Sequence, residues 1–368
     1  MITLDGSYLE GGGSLVRVAL ALSTLTGEAF QVTGIRSGRQ DPGLKAQHLT
    51  AIQALKEMSG AKTNDIALGS LELDFVPGNI RSGKYTFDIG TAGSISLFLQ
   101  ALLLPCLFAP GKVTLTIKGG TCGKWQASAD YLQNVLLPQL RRFAGKIELK
   151  IRKRGYYPKG GGEVVVEISP RFHRKDFADT AAFLDELQKN VAKIKLVEQG
   201  KLEQIRGIVN VSASLAEKKV GERIRDTATA ALQRYAVPLS LRLEYAETLN
   251  PGGDVVLWAV FSKDGDVSPI NPVILGSNAL AEREKRSEDV GREAADALAK
   301  EIDAEVAVDH YLADQLLPFM ALLPGSAIQA SSISNHAKTN IYVVEKFLPV
   351  HFMVERNTIQ AEKLVEKL

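Results

Sequence analysis

The sequence predicts an α+β protein: a main domain of repeated units, interrupted by a smaller inserted domain. Three observations carry that reading. Short β-type runs alternate with amphipathic helical stretches; a strand, glycine turn, helix plan returns after about 80 residues; and a self-contained βαβββα pattern breaks the third occurrence. With 368 residues and roughly 100 to 200 residues per domain, two or three domains can each bury a core.

The first block opens with a strand near Ile2 to Leu4, the turn at Gly11, Gly12 and Gly13, and a helix from Ser14 to Leu25 with Leu15, Val16, Leu20 and Leu22 at helical spacing. A strand (Phe30 to Ile35), a basic loop, a helix (Gly43 to Ser59) and a hairpin (Ala67 to Pro77) follow. The second block repeats the plan: strand Lys84 to Ile89, turn Gly90 to Gly93, helix Ser94 to Leu107, strand Lys112 to Ile117, helix Gln126 to Phe143, and strands Lys146 to Arg152 and Glu163 to Ile168. After a charged, helix-rich bridge come strand Gln204 to Val211, helix Glu217 to Tyr235, strands Leu239 to Ala246, Asp254 to Phe261 and Pro272 to Leu275, and helix Ser287 to Ile302. Helix Asp309 to Leu322, strand Ala327 to Ser332, a helix from His336 to Phe347 and strand Pro349 to Val354 resume the main pattern. The expected main domain is therefore 1–185 with 305–368, and the insert is 186–304.

Composition narrows the function classes. Hydrophobic residues are 45% and charged residues 23%, ordinary usage for a folded globular chain. Lys plus Arg is 44 against 42 for Asp plus Glu, so no global basic field exists and any polyanion site is local. The two cysteines, Cys106 and Cys122, lie outside any CxxC or Cys/His cluster, which argues against a zinc site or disulfide framework and fits a reducing cytoplasm. The N-terminal segment lacks the basic start and apolar run of an export signal, and the apolar stretch Ser94 to Ala109 carries Gln100 and Pro105, so it reads as a buried helix and not a membrane span.

Glycine clusters at 11–13, 90–93 and 160–162 allow close backbone approach to phosphate, and a following helix N-terminus offers unpaired N–H groups. A bare cluster is equally a tight turn, and no GxxxxGK[ST] loop exists, since Trp125 stands where its hydroxyl residue belongs. Around the first turn gather Glu10, Arg17, Arg36, Arg39, Lys45, Gln47 and His48. Arginine forks match phosphate oxygens, and a nearby carboxylate can hold a divalent cation bridging them; the alternative is a solvated basic loop. Arg152, Lys153, Arg154 and Lys159, interleaved with Tyr156 and Tyr157, suit a single-stranded nucleic-acid end or, more plainly, a protected edge strand. Of five histidines, His336 stands out in a polar turn opening a helix, downstream of Asp314, a carboxylate on a mostly apolar helix that needs a partner.

Together these segments resemble the RNA 3'-terminal phosphate cyclase family. Its signature is a basic residue, Gly, two free positions, Pro, one free position and three glycines, present here from Arg154 to Gly162. LDGSYLEGGGSLVR, IRSGRQDPGLKAQHL, DIGTAGS, YLADQLLPFMAL and NHAKTNIYVVEKFLPV also stand in the family's order. The resemblance implies three α+β units similar to the C-terminal domain of a translation initiation factor and to enolpyruvyl transferases, with an insert in the third. It implies ATP as co-substrate, Mg²⁺ or Mn²⁺, RNA 3'-phosphate ends as partners, and a histidine that carries AMP. By position, His336 matches the nucleophile, Asp314 an essential acid beside the metal or the histidine, and Glu10 the metal-binding carboxylate. Arg17, Arg36, Arg39 and Gln47 match the phosphate set, Tyr311 the residue stacked on adenine, and Gln100 and Asp130 the nucleoside surroundings. Arg154, Tyr156, Tyr157 and Lys159 are the RNA candidates. Where bacterial members have Pro-Pro-Ala-Asp, this chain has Ala127, Ser128, Ala129 and Asp130, with Trp125 close by. Two rivals are a non-catalytic ribosome-assembly homologue, which lacks the nucleophilic histidine, and an enolpyruvyl transferase, which needs no signature of this kind. Monomer and homodimer both stay open.

Overall fold

Strand β1 (Ile2–Asp5) leads into α1 (Gly13–Thr26), followed by β2 (Phe30–Thr33), α2 (Ala46–Ser59), β3 (Lys62–Thr63) and β4 (Leu73–Val76) in a computed structural model that describes residues 1–9, 11–124, 126–263 and 265–364. Helix α1 is apolar on almost every side, so nearly all of it is buried and it forms the spine of the first unit. Parallel pairing of β1 with β2 and antiparallel pairing of β2 with β4 and β4 with β3 give the order β1-β2-β4-β3.

The second unit runs β5 (Gly83–Asp88), α3 (Ile95–Leu107), β6 (Val113–Gly119), α4 (Ala129–Tyr131), α5 (Leu137–Leu140), β7 (Ala144–Lys153) and β8 (Gly162–Pro170), and its order β5-β6-β8-β7 copies the first. Then come α6 (Thr180–Asn190) and β9 (Lys195–Leu196). The insert follows: β10 (Lys201–Ser212), α7 (Val220–Leu232), β11 (Leu239–Ala246), β12 (Gly253–Ser262), β13 (Val273–Ala281) and α8 (Ser287–Asp303), in the sheet order β11-β10-β12-β13. Helix α9 (His310–Ala321), β14 (Ala327–Gln329), α10 (Asn335–Phe347), β15 (Val350–Glu355) and β16 (Thr358–Lys363) complete the third unit, whose sheet reads β15-β16-β14-β9. Taken from the β9 edge, that is the same order once more. The insert thus occupies the place, between first strand and first helix, that a glycine turn fills in the other two units.

Four expectations change. The insert begins after β9, not at 186, because β9 pairs in parallel with β14 and the apolar face of α6 joins the main core. The hairpin over 67–77 contributes only β4, whose partner β3 lies earlier. The long helix over 126–143 is broken into α4, a π-helical run at Leu132–Leu136 and α5, with Pro138 beyond the bulge unable to supply the next N–H. Strand β16 is an addition to the sequence reading, since its charged alternation carries little apolar signal; it pairs with both β14 and β15. Among the described residues no helix is long and apolar enough to cross a membrane.

Residues Ile205, Val209, Leu257 and Val290 belong to the insert's own core between its sheet and its helices. The opposite sheet face, with Ile208, Val256, Trp258 and Ile274, merges with the main core. Beside that contact sits a buried polar clamp. Both terminal nitrogens of Arg154 (8% exposed) bind the carboxylate of Asp130 (1% exposed), and Nη2 also donates to Glu244 Oε2 of the insert at 2.8 Å. Asn210 Nδ2 donates to Asp130 Oδ2 at 3.3 Å and to Asp254 Oδ1 at 3.4 Å. Burial, then the negative charge of Asp130, raises the pKa of Asp254, so Asp254 holds a proton more readily while Asp130 serves as the counter-ion of Arg154.

This division of charge has a measurable consequence. Arg154→Met strands the Asp130 carboxylate in a dry site and should cost about 3 to 5 kcal/mol in urea unfolding. Asp254→Asn, which imitates the protonated side chain, should stay within about 1 kcal/mol of wild type. Equal losses would mean that Asp254 is the charged member.

Candidate active site

Arg17, Gln100 and Asp314 fall near the N-terminal ends of α1, α3 and α9, the first helices of the three units. The repeated topology brings Gln100 and Asp314 to one cavity of about 30 Å³ between these helices, lined also by Val18 and Asn340, and Arg17 reaches Gln100. Unpaired backbone N–H groups at helix starts make such a meeting point favourable to anions.

Arg17 is 6% exposed, and no carboxylate among the described residues pairs with it. Its Nε donates to Gln100 Oε1 at 2.8 Å, and its Nη1 lies 3.4 Å from His48 Nε2. Burial first, then the charge of Arg36, lowers its pKa to about 10, so it stays a cation at neutral pH. His48 is also buried, and its pKa is pushed down to about 3 by burial first and then by Arg17, Arg36 and Lys45. The Lys45 backbone N–H donates to His48 Nδ1 at 3.0 Å, which assigns the proton of the neutral ring to Nε2. Two donors, the Nε2–H of His48 and the guanidinium of Arg17, therefore face the same small space over Gly13. A side chain at Gly13 would overlap both groups. Among the described residues this pair shares no anionic acceptor.

His336 stands in the first turn of α10, half-buried, with Nδ1 3.5 Å from Ser14 Oγ. A Cβ on Gly12 would come within 3.2 Å of its Cε1, so the glycine turn and the imidazole touch. The helix that carries the ring is fixed at its cap. Ser334 Oγ accepts from the Ala337 N–H at 2.9 Å and donates to Asp314 Oδ1 at 2.6 Å. Asn340 Nδ2 donates to the Asp314 carbonyl oxygen at 2.9 Å. Asp314 thus grips the helix that carries His336, at its cap and further along.

Helix α9 is set by Asp309, whose carboxylate accepts from the Tyr311 and Leu312 N–H groups at 3.0 Å, from Tyr131 Oη at 2.6 Å and from the Gly276 N–H of the insert at 2.8 Å. Burial raises its pKa to about 6. Tyr311 is consequently held half-buried, edge-on to Tyr131 with ring centres 5.7 Å apart.

The other expected residues divide. Arg36 folds back, with Nη1 donating to the Asp41 and Gly43 carbonyl oxygens at 2.7 and 3.2 Å, and its Cα approaches Gly11. Arg39 is exposed in the same loop, and Gln47 is half-buried on the first turn of α2. Glu10 and Trp125 lie outside the described residues. Gln100 accepts from Arg17, and Asp130 is the counter-ion of Arg154. Arg154 and Tyr156 are buried beside the insert, whereas Tyr157 (83% exposed) and Lys159 face solvent. Among the described residues no cluster of three metal-ligating side chains forms.

Comparison with known proteins shows the family. The family model described as RNA 3'-terminal phosphate cyclase matches residues 8–354. The chain belongs to that family. It is 38% identical over 355 residues to the RNA 3'-terminal phosphate cyclase of Pyrococcus furiosus, covering 96% of this chain and 95% of that protein. Against the one from Archaeoglobus fulgidus it is 38% identical over 360 residues, covering 98% and 99%. For Thermococcus kodakarensis the figures are 39% over 361 residues, covering 96% and 94%.

Within this cyclase-family site, sequence reasoning gave Ser14, Ser334 and Asn340 no separate role and counted His48 only as a member of the basic loop. The local signals were a serine at a helix N-cap and a histidine three residues after an N-cap, both readable only once helix starts are known.

His48 gives the site a pH signature. Its folded pKa lies below the ordinary value of 6.5, so the unfolded chain binds the extra proton and stability falls as pH drops from 6.5 toward about 3. His48→Gln removes that dependence. Between about pH 7.5 and about pH 4.5 the wild-type urea midpoint should fall further than that of the variant; parallel falls would show that the ring charges in the folded state.

Proposed function

We infer that this chain converts an RNA 3'-terminal phosphate to a 2',3'-cyclic phosphate at the expense of ATP. The observation that carries the reading is His336 resting on Gly12, beside a buried arginine and a neutral histidine that share no anionic partner among the described residues. The ATP phosphates lie over the glycine turn at the start of α1, with Arg17 and the His48 Nε2–H directed at their oxygens and Arg36, Arg39 and Gln47 around them. Tyr311 offers a face to the adenine.

With Nδ1 turned to Ser14, Nε2 of His336 is the nitrogen that attacks the α-phosphorus. The N–P bond forms as the bond to pyrophosphate breaks, and Ser14 Oγ receives the hydrogen bond of the Nδ1–H. An oxygen of the RNA 3'-phosphate then attacks the same phosphorus, frees the imidazole and gives RNA(3')pp(5')A. Finally the adjacent 2'-hydroxyl attacks the 3'-phosphorus and AMP departs, closing the ring. Activation is the physical point: a phosphate monoester dianion lacks a good leaving group, whereas the mixed anhydride expels AMP, and the 2'-oxygen is already within intramolecular reach. Asp314 acts by orienting His336 through Ser334.

Mg²⁺ or Mn²⁺ fits the donor chemistry, because such ions are held by one or two carboxylates together with substrate phosphates and need no cluster of three side chains. Glu10 is the carboxylate proposed to hold it, and the ion would neutralise charge on the phosphates. Tyr157 and Lys159 are the proposed RNA contacts of the signature segment, and the cytoplasm the proposed compartment.

Incubation with α-labelled ATP and a divalent cation should leave acid-labile, alkali-stable label on the denatured protein. His336→Ala should abolish it; label retained by a folded His336→Ala protein would move the nucleophile elsewhere. Arg17→Ala should slow labelling about 10² to 10³-fold by leaving developing phosphate charge uncompensated, and an unchanged rate would remove Arg17 from the cradle.

A further inference from the structure

A cleft of about 1180 Å³ opens where the insert sheet lifts away from the sheet of the second unit. One side is the solvent face of β6, β7 and β8, with Lys118, Lys150, Arg152 and Lys153; the other is β11, with Arg242 and Glu244. At one end stand Gly90 and Thr91, the turn that precedes α3, together with Lys159 and Gly161 of the signature loop.

The charges in this cleft are not all equivalent. Arg152 pairs with Glu163 at 3.5 Å, and Glu244 is taken up by Arg154 at 2.8 Å and Arg242 at 2.6 Å. Asp88 accepts from the Gly90 N–H at 2.9 Å, and Glu247 is a further acid in the lining. Lys118, Lys153 and Lys159 are exposed, and none has a carboxylate within ion-pair distance among the described residues. Tyr157, 83% exposed, stands beside Lys159 in the signature loop. Unpaired lysines along a groove, with an exposed ring two residues from one of them, suit a flexible polyanion with stacking bases better than a folded protein surface. The turn at the Gly90 end precedes α3, whose Gln100, about 7.5 Å of helix rise beyond Ile95, accepts from Arg17.

We propose that this cleft holds the sugar–phosphate backbone of single-stranded RNA upstream of its 3'-phosphate, with Lys118, Lys153 and Lys159 as phosphate partners and Tyr157 as a stacking face. The assignment rests on the cyclase reading for the identity of the polyanion, and it makes the insert one wall of the substrate path.

The test is the double variant Lys118→Glu, Lys153→Glu, with 3'-phosphorylated oligoribonucleotides of increasing length as probes. Binding, followed by fluorescence anisotropy without ATP, should weaken about tenfold or more for long oligomers, and the slope of log affinity against log salt should flatten by about 0.7 for each phosphate that the lysines no longer neutralise. The KM for cyclising long RNA should rise while that for the shortest substrates holds, and labelling by ATP alone should match wild type. Wild-type affinity and salt slope in the variant would overturn the proposal. If charge reversal prevents folding, Lys118→Ser, Lys153→Ser carries the same test with the same overturning result. Should wild-type protein fail to label with ATP, the cyclase reading falls while the anisotropy measurement still decides the cleft.

Discussion

A buried guanidinium without a carboxylate partner among the described residues is the constraint around which this molecule is arranged. Removing a cation from water is costly unless something answers its charge, and at Arg17 those residues offer only the amide oxygen of Gln100 and an imidazole whose free edge is itself a donor. On the reading proposed above, this is the place of an incoming anion. Glycines clear the space, helix starts face it, and burial among cations keeps His48 uncharged so that it donates without adding to the local repulsion.

The threefold repetition of one sheet order explains how distant segments supply that place. Each unit delivers the beginning of its first helix to a common centre, and the third unit departs from the others by carrying a whole domain in the corresponding interval. Two of the polar ties that hold that domain back bear on the site. One is the Arg154 and Asp130 clamp, reinforced by Glu244 and Asn210; the other is Asp309, which caps α9 while receiving the Gly276 N–H of the insert. The signature segment beginning at Arg154 is therefore, in large part, the seat on which the insert rests.

Much of the architecture was legible in the sequence because periodicity reports burial directly. The apolar spacing of α1 and the βαβββα order of the insert are of this kind, and the family motifs located His336 and Arg17. What escaped depended on partners far along the chain. Nothing local to Asp130 or Arg154 says that each is the other's counter-ion. Strand β9 is too short to announce itself and belongs to the third unit only because β14 lies alongside it. The role of His48 required both the helix start at Lys45 and the approach of Arg17 from another helix.

Ser334 ties the orientation of an imidazole to the integrity of a single helix end. Helix ends fray at energies far below global unfolding, and here fraying would release the carboxylate grip of Asp314 and the ring together. Loss of that cap would loosen the start of α10, and the ring it carries, before the hydrophobic core is disturbed.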